Sequence, residues 1–181
     1  MAPINKGDVL TQLSLVTYDG KVFDSSEHKD SNLLLIFFRD ATCPFCNMHL
    51  KELLDDYEFF RSNHLEIVTF FASTSEEIQK YAGKMSVPFY IVPDPELEFY
   101  KMFDVRQSKM GLWKTLCKPI AVIKAMFSGF FNLKSMTKAP IIPSDFLISK
   151  GGIVDIVHHS DNYADHLSIS EIKHWLSKQH T

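Results

Sequence analysis

Cys43 and Cys46, three residues apart in FFRDATCPFCNMHL, stand where an apolar run gives way to a helical pattern. Three readings suit that spacing: a working dithiol, half of a metal site, or two packed core residues. An x-x spacer lets two sulfurs meet, so that either can attack a substrate and the other close a disulfide. The run LLLIFF, Leu33 to Phe38, reads as a strand and puts Cys43 in the loop leaving it, at or near a helix N-terminus. Unpaired backbone N–H groups and the helix dipole favour a thiolate there, and CxxC thiols at helix starts titrate at roughly 3.5–7.5. Pro44 suits the first helical turn, where its missing N–H costs nothing. A dithiol of this kind needs its sulfurs within bonding reach of each other and not sealed under side chains.

Structural zinc needs four ligands, commonly a second CxxC or a spaced His pair. Neither occurs here: Cys117 stands alone, and the adjacent His158 and His159 would point to opposite faces of a strand. Arg39 and Asp40 precede the dithiol; Arg39 can favour a thiolate or hold an anionic oxygen, or the two can form a surface pair or loop clamp. Thr42 is placed to cap the helix through its hydroxyl. His158, His159, Asp165 and His166 could supply an acid or base, although a solvated loop before the last helix explains them more simply. Cys117 reads as a packed small side chain.

The elements around these residues are legible from periodicity. Leu13 to Tyr18 and Lys21 to Phe23 flank Asp19-Gly20 as a hairpin. Leu50, Leu53, Leu54, Tyr57 and Phe60 recur at helical spacing, and Leu65 to Ala72 reads as a second buried strand. Thr74 with Glu77 opens a helix to about Lys84, Phe89 to Val92 forms a third strand, and Glu96 to Phe103 a short helix. Phe146 to Ser149 and Ile153 to His158 flank Lys150-Gly151-Gly152 as a second hairpin. Ser168 and Glu171 form a capping box for a closing helix with Ile169, Ile172, Trp175 and Leu176 on one face. Strands alternating with helices through short links predict an α/β fold with a largely parallel central portion.

With 45% hydrophobic residues in 181, the chain can bury a sizeable core, and residues 1–181 read as one domain. The overall charge of −3 gives no reason to expect nucleic acid as a partner. Its distribution is uneven: Val105 to Ser144 holds Arg106, Lys109, Lys114, Lys118, Lys124, Lys134 and Lys138 and no acid, a local +7 against −10 elsewhere. Within it Leu112, Leu116, Ile120, Ile123, Phe127 and Phe130 keep a helical rhythm, with Pro119 splitting it into two helices. This basic helical insertion, about 105–138, reads as a lid, a homodimer contact or a membrane-surface helix, with packing against the core as the default. The N-terminus lacks the apolar core of a secretory signal, and no window spans a bilayer; the expected location is cytoplasmic.

FFRDATCPFCNMHLKEL after an apolar strand, Pro93-Asp94-Pro95, and IIPSDFLISKGGIVDIVHHSDNYADHLSISEI together resemble the peroxiredoxin-like (AhpC/TSA-related, redoxin) branch of the thioredoxin-fold superfamily. The resemblance implies a thioredoxin-like fold, a central mixed sheet flanked by helices, with the N-terminal hairpin and basic insertion as additions. It implies a thiol-dependent oxidoreductase with Cys43 and Cys46 catalytic, acting on a peroxide or disulfide and reset by an external thioredoxin-type dithiol, with no cofactor. Pro143 is similar to the proline that thioredoxin-like proteins hold in cis against the dithiol, where free backbone groups bind an extended substrate alongside Arg39 and Thr42. The alternative for Pro143 is an ordinary strand start.

Two departures qualify the resemblance. The PxxxTxxC pattern of peroxiredoxins is not met: aligned on Cys46, Arg39 takes the place of the Pro and Cys43 that of the Thr. Aligned as a thioredoxin, with Cys43 attacking, the buried acid of the preceding strand is replaced by Phe37. A reading of another class is a non-catalytic binding module that recruits a partner or anionic membrane through the insertion.

Overall fold

Asp19-Gly20 reverses the chain as expected, with Gly20 at φ 82°, and pairs β1 (Ser14–Val16) with β2 (Val22–Asp24) so that Leu15 faces Phe23. The computed structural model describes residues 4–10, 12–108, 110–117, 119, 122–123 and 140–179. Strand β3 (Asn32–Phe38) is buried along its whole length, which is why its sequence reads as a continuous apolar run and not as an alternation. It lies at the centre of a five-stranded sheet of order β5-β4-β3-β6-β7, with β4 (Leu65–Phe71), β5 (Tyr90–Pro93), β6 (Ser144–Ile148) and β7 (Val154–His159).

The sheet is mixed for reasons of connection. Helices α1 (Pro44–Asp55), α2 (Tyr57–Ser62) and α3 (Ser75–Lys80) carry the chain back between strands, so β3, β4 and β5 run parallel. The turn at Gly151 and Gly152, with φ of 82° and 87°, reverses β6 into β7, and β6 runs antiparallel to β3. Successive β3 side chains therefore feed two cores. Leu34, Ile36 and Phe38 pack with both cysteines, Leu50 and Leu53 of α1, and Ile172, Trp175 and Leu176 of α6 (Ile169–Lys178). Leu33, Leu35 and Phe37 pack with Phe23 of the hairpin and with Tyr100 of α4 (Glu98–Met102). Phe37, at the position where an acid would stand, stacks on Phe70 with centroids 4.4 Å apart.

The continuous helix expected through Phe60 breaks at Asp56, whose carboxylate accepts from Lys173 Nζ of α6 at 2.6 Å. Thr74 caps α3 by accepting from the Glu77 N–H at 3.3 Å, but α3 ends at Lys80 and a 3₁₀ turn, Ala82–Met85, completes the segment. The Ser168–Glu171 capping box of α6 forms in both directions.

The Pro93-Asp94-Pro95 segment has a definite task. Asp94 accepts from the N–H groups of Glu98, Phe99 and Tyr100 at 2.9, 2.8 and 3.3 Å and so fixes the start of α4. That places the Tyr100 phenol where its O–H serves the carbonyls of Phe38 and Phe70 at the ends of β3 and β4. Burial pushes this phenol well above its ordinary pKa, so it stays a donor. Tyr100→Phe is expected to lower stability by about 1–3 kcal/mol, the cost of buried acceptors left without their donor. Urea unfolding reads this, and an unchanged midpoint would refute it.

Of the basic insertion, α5 (Met110–Leu116) is described. Gly111 sits so close to the Tyr163 ring that an added Cβ would lie 2.8 Å from it. Met110, Trp113 and Ile123 are exposed, and so is Cys117, which corrects its reading as a packed residue. The side chains of Leu112 and Leu116, and Ile120, Phe127 and Phe130, lie outside the described residues. Among the described residues no helix is long and apolar enough to cross a membrane.

Candidate active site

The loop from β3 into α1 is held by its own polar side chains. Asp40 accepts from the Thr42 N–H at 2.9 Å and from the Thr42 hydroxyl. Asn47, in the first turn of α1, donates through Nδ2 to the carbonyls of Ala41 and Cys43, both at 2.9 Å. The Ala41 N–H donates to Ser73 Oγ at 3.0 Å, tying the loop to the end of β4. Cys43 is the residue at which the helix begins: its φ and ψ are −70° and 120°, and its carbonyl accepts from the Asn47 N–H at 3.1 Å. Thr42 therefore lies one residue too early to cap α1. Its hydroxyl is committed to Asp40, which removes the capping role.

The two thiols act on each other's ionisation, and their preferences diverge. Burial alone would raise Cys43. The Cys46 thiol and N–H that donate to it, with the Arg39 guanidinium, outweigh burial and the opposing Asp40 carboxylate and hold Cys43 below its ordinary value. Burial pushes Cys46 well up, reinforced by the Cys43 charge and by Asp40, against the Arg39 backbone N–H. Cys43 is thus the sulfur that gives up its proton more readily, and Cys46 the one that keeps it. Access is not as expected: both cysteines are 0% exposed, so the dithiol is closed in this conformation.

Arg39 is no surface residue. It is 4% exposed, with Nε 3.5 Å from Asp40 Oδ2 and its guanidinium 4.5 Å above the Tyr163 ring. Arg39→Gln removes a positive charge acting on Cys43, so Cys43 is expected to titrate at higher pH. Ultraviolet thiolate absorbance followed against pH checks this, and an unmoved titration would show that Arg39 serves only to clamp the loop. Tyr163, which lies within electrostatic reach of both Arg39 and Cys43, has no sequence signal.

Pro143 departs from expectation. No peptide among the described residues is cis, the Ile142 N–H donates to the Arg106 carbonyl at 2.9 Å, and the Pro143 carbonyl accepts from Ser160 at 3.1 Å. The expected cis bond is therefore not found, and Pro143 lies immediately before β6.

The histidine-rich loop also differs from the solvated segment expected. His159 bonds Ser144 Oγ at 3.0 Å and His158 approaches Asp165 at 3.8 Å, but the His166 side chain is 4% exposed and its Nδ1 lies 3.0 Å from Asp145 Oδ1. Asp145 is on β6, two residues from Leu147 and so on the α1 face of the sheet. A carboxylate buried there must be paired, and His166 and the Leu167 N–H, at 2.6 Å, pair it. His49, one turn after Cys46, stacks on His166 at 4.4 Å; the helical pattern of α1 gives no hint of that partner. Among the described residues no three ligand side chains are grouped to hold a metal.

A buried CxxC pair of unequal acidity at a helix start, following the central strand of a mixed sheet, defines a thiol-dependent oxidoreductase of thioredoxin-like fold. Comparison with known proteins agrees. The AhpC/TSA family matches residues 7–157, and the chain belongs to that family. Peroxiredoxin Bcp of Escherichia coli (strain K12) is 22% identical over 115 residues, 64% of this chain and 74% of that protein. Peroxidoxin BcpB from Mycobacterium tuberculosis superposes with a TM-score of 0.66 at 15% identity, covering 97% of this chain and 96% of its own. The reduced Plasmodium vivax 2-Cys peroxiredoxin superposes with a TM-score of 0.68 at 15% identity, covering 98% and 83%.

Proposed function

We propose that the protein is a peroxide-reducing enzyme in which Cys43 attacks and Cys46 resolves. The observation that carries this reading is the placement of two buried cysteines at the start of α1, with Cys43 at the helix cap, and their opposite shifts in acidity are consistent with it. The Cys43 thiolate attacks one peroxide oxygen, the O–O bond breaks, and the leaving alkoxide or hydroxide takes up a proton. Cys43 becomes a sulfenic acid. The Cys46 sulfur then displaces its hydroxyl as water, giving a Cys43–Cys46 disulfide, and an external dithiol of thioredoxin type returns both to thiols while itself becoming a disulfide. Arg39 stabilises the attacking thiolate.

Peroxide as oxidant is supported by the relatives named peroxiredoxin. Disulfide exchange is the competing chemistry, favoured by the absence of the PxxxTxxC pattern, since Cys43 stands where that pattern has its Thr. Titrating the reduced protein with hydrogen peroxide and separately with oxidised glutathione, with thiol loss followed by mass spectrometry, separates them. Two-thiol loss faster with peroxide than free cysteine supports the proposal. Faster reaction only with glutathione assigns disulfide exchange. Rates no faster than free cysteine with either leave the non-catalytic binding reading.

A further inference from the structure

The stacked pair His49 and His166 is not used in the chemistry above, yet it joins the helix that carries the dithiol to the loop that carries Tyr163. The rings are nearly parallel, 7° apart. Phe38 meets both edge-on, at 6.1 Å from His49 and 5.1 Å from His166, so the stack has an apolar wall. Each ring spends one nitrogen on a carboxylate: His166 Nδ1 on Asp145 and His49 Nδ1 on Glu52, at 3.0 and 3.1 Å. The other nitrogen of each, Nε2, is buried with no hydrogen-bond partner. A proton added there creates a donor with no acceptor and a charge beside a ring that can itself be charged.

We propose that the His49–His166 stack and its Asp145 clamp form a proton-controlled latch that keeps the dithiol turn closed while His49 is uncharged. Asp145, the buried carboxylate, balances a single imidazolium. A second one sets two like charges face to face, and the remaining acid in contact, Glu52, has a 59% exposed side chain that water screens. Other charged groups facing the cluster do not reach the free nitrogens. Across β7 stands His158, the register partner of Asp145, beside Asp165, and the first turn of α6 presents Glu171. Splitting the stack loosens both walls of the site. His49 lies one turn beyond Cys46 on the same helix, and Asp145 also anchors Leu167 in the loop holding Tyr163 against Arg39.

Burial, and next the charge of His166, hold His49 below its ordinary 6.5 despite Glu52 and Asp145. The folded value is then lower than the unfolded one, so the open chain takes the proton first and the closed form loses stability as pH falls below about 6.5. The latch rests on the dithiol reading for its purpose, since two sulfurs with no exposure must be uncovered to meet a substrate.

Hydrogen exchange of the α1 amides, corrected for the intrinsic pH dependence and compared at about pH 7.5 and about pH 5.5, tests the latch without using the thiols. Wild type is expected to open about tenfold more in acid; His49→Gln, which keeps a polar side chain but cannot titrate, is expected to flatten that step, and His166→Gln, which removes the neighbouring charge but not the burial, to reduce it. If one variant does not fold, the other suffices. Equal opening at both pH values in wild type, or an acid step surviving in both variants, overturns the proposal. Thiol loss to hydrogen peroxide is read on the same samples. Oxidation at neutral pH with pH-independent exchange removes the latch and keeps the dithiol; an acid step without any thiol oxidation keeps the latch and removes the dithiol.

Discussion

Cys43→Ser is expected to slow peroxide-driven thiol loss on the order of 10³-fold or more, the scale on which removing a covalent nucleophile acts. Cys46→Ser, in contrast, should leave the first oxidation in place and stop the reaction at a stable sulfenic acid. The asymmetry follows from the charge distribution. Cys46 and the Arg39 guanidinium favour a charge on Cys43, whereas burial, Cys43 and Asp40 all disfavour one on Cys46. A serine at 46 can still donate an O–H to Cys43. A serine at 43 leaves Cys46 as a buried thiol still facing the Asp40 carboxylate, and only the Arg39 N–H then favours its ionisation. Stopped-flow mixing of each reduced variant with hydrogen peroxide checks this; equal loss of rate in both variants would contradict it.

Asp145→Ala is expected to destabilise the protein by about 3–5 kcal/mol at neutral pH, the range found when one partner of a buried charged pair is removed. The carboxylate is fully buried and accepts from His166 and from the Leu167 N–H. Alanine leaves both donors without an acceptor. The pH dependence carries the sign. Burial would raise this carboxyl, but the charge and hydrogen bond of His166, then His49 and Leu167, hold it below its ordinary 3.8. Its contribution is therefore complete above about pH 4 and lost as pH falls through the lowered folded value. Urea unfolding curves of wild type and variant should be far apart at neutral pH and converge in strong acid. A difference under about 1 kcal/mol at neutral pH would mean that water replaces the carboxylate without cost.

Short-range physics made much of this molecule legible. Asp19-Gly20 specifies its turn, Ser168 and Glu171 satisfy each other three residues apart, and a strand buried on both faces shows as LLLIFF. The dithiol at the helix start belongs to the same category, since strand, loop, Pro44 and sulfur spacing are all local. What escaped depends on partners remote in sequence. The helix break at Asp56 answers to Lys173, and Arg39 is buried because Tyr163 returns over it. His166 is drawn inward by Asp145, 21 residues away, and the helical pattern around His49 does not disclose the ring that the folded loop stacks on it. Thr42 missed its cap by one residue, an offset set by Asp40 and Asn47 and not by helix propensity.

The division of labour between the sulfurs is tested most directly by trapping. Each single Cys→Ser variant at 43 and 46, reduced and mixed with one equivalent of hydrogen peroxide in the presence of a sulfenic-acid-specific dione, is digested and mapped by mass spectrometry. The account predicts heavy labelling of Cys43 in Cys46→Ser and almost none of Cys46 in Cys43→Ser. Labelling that appears instead on Cys46, or on neither sulfur while the fold is intact, would contradict it.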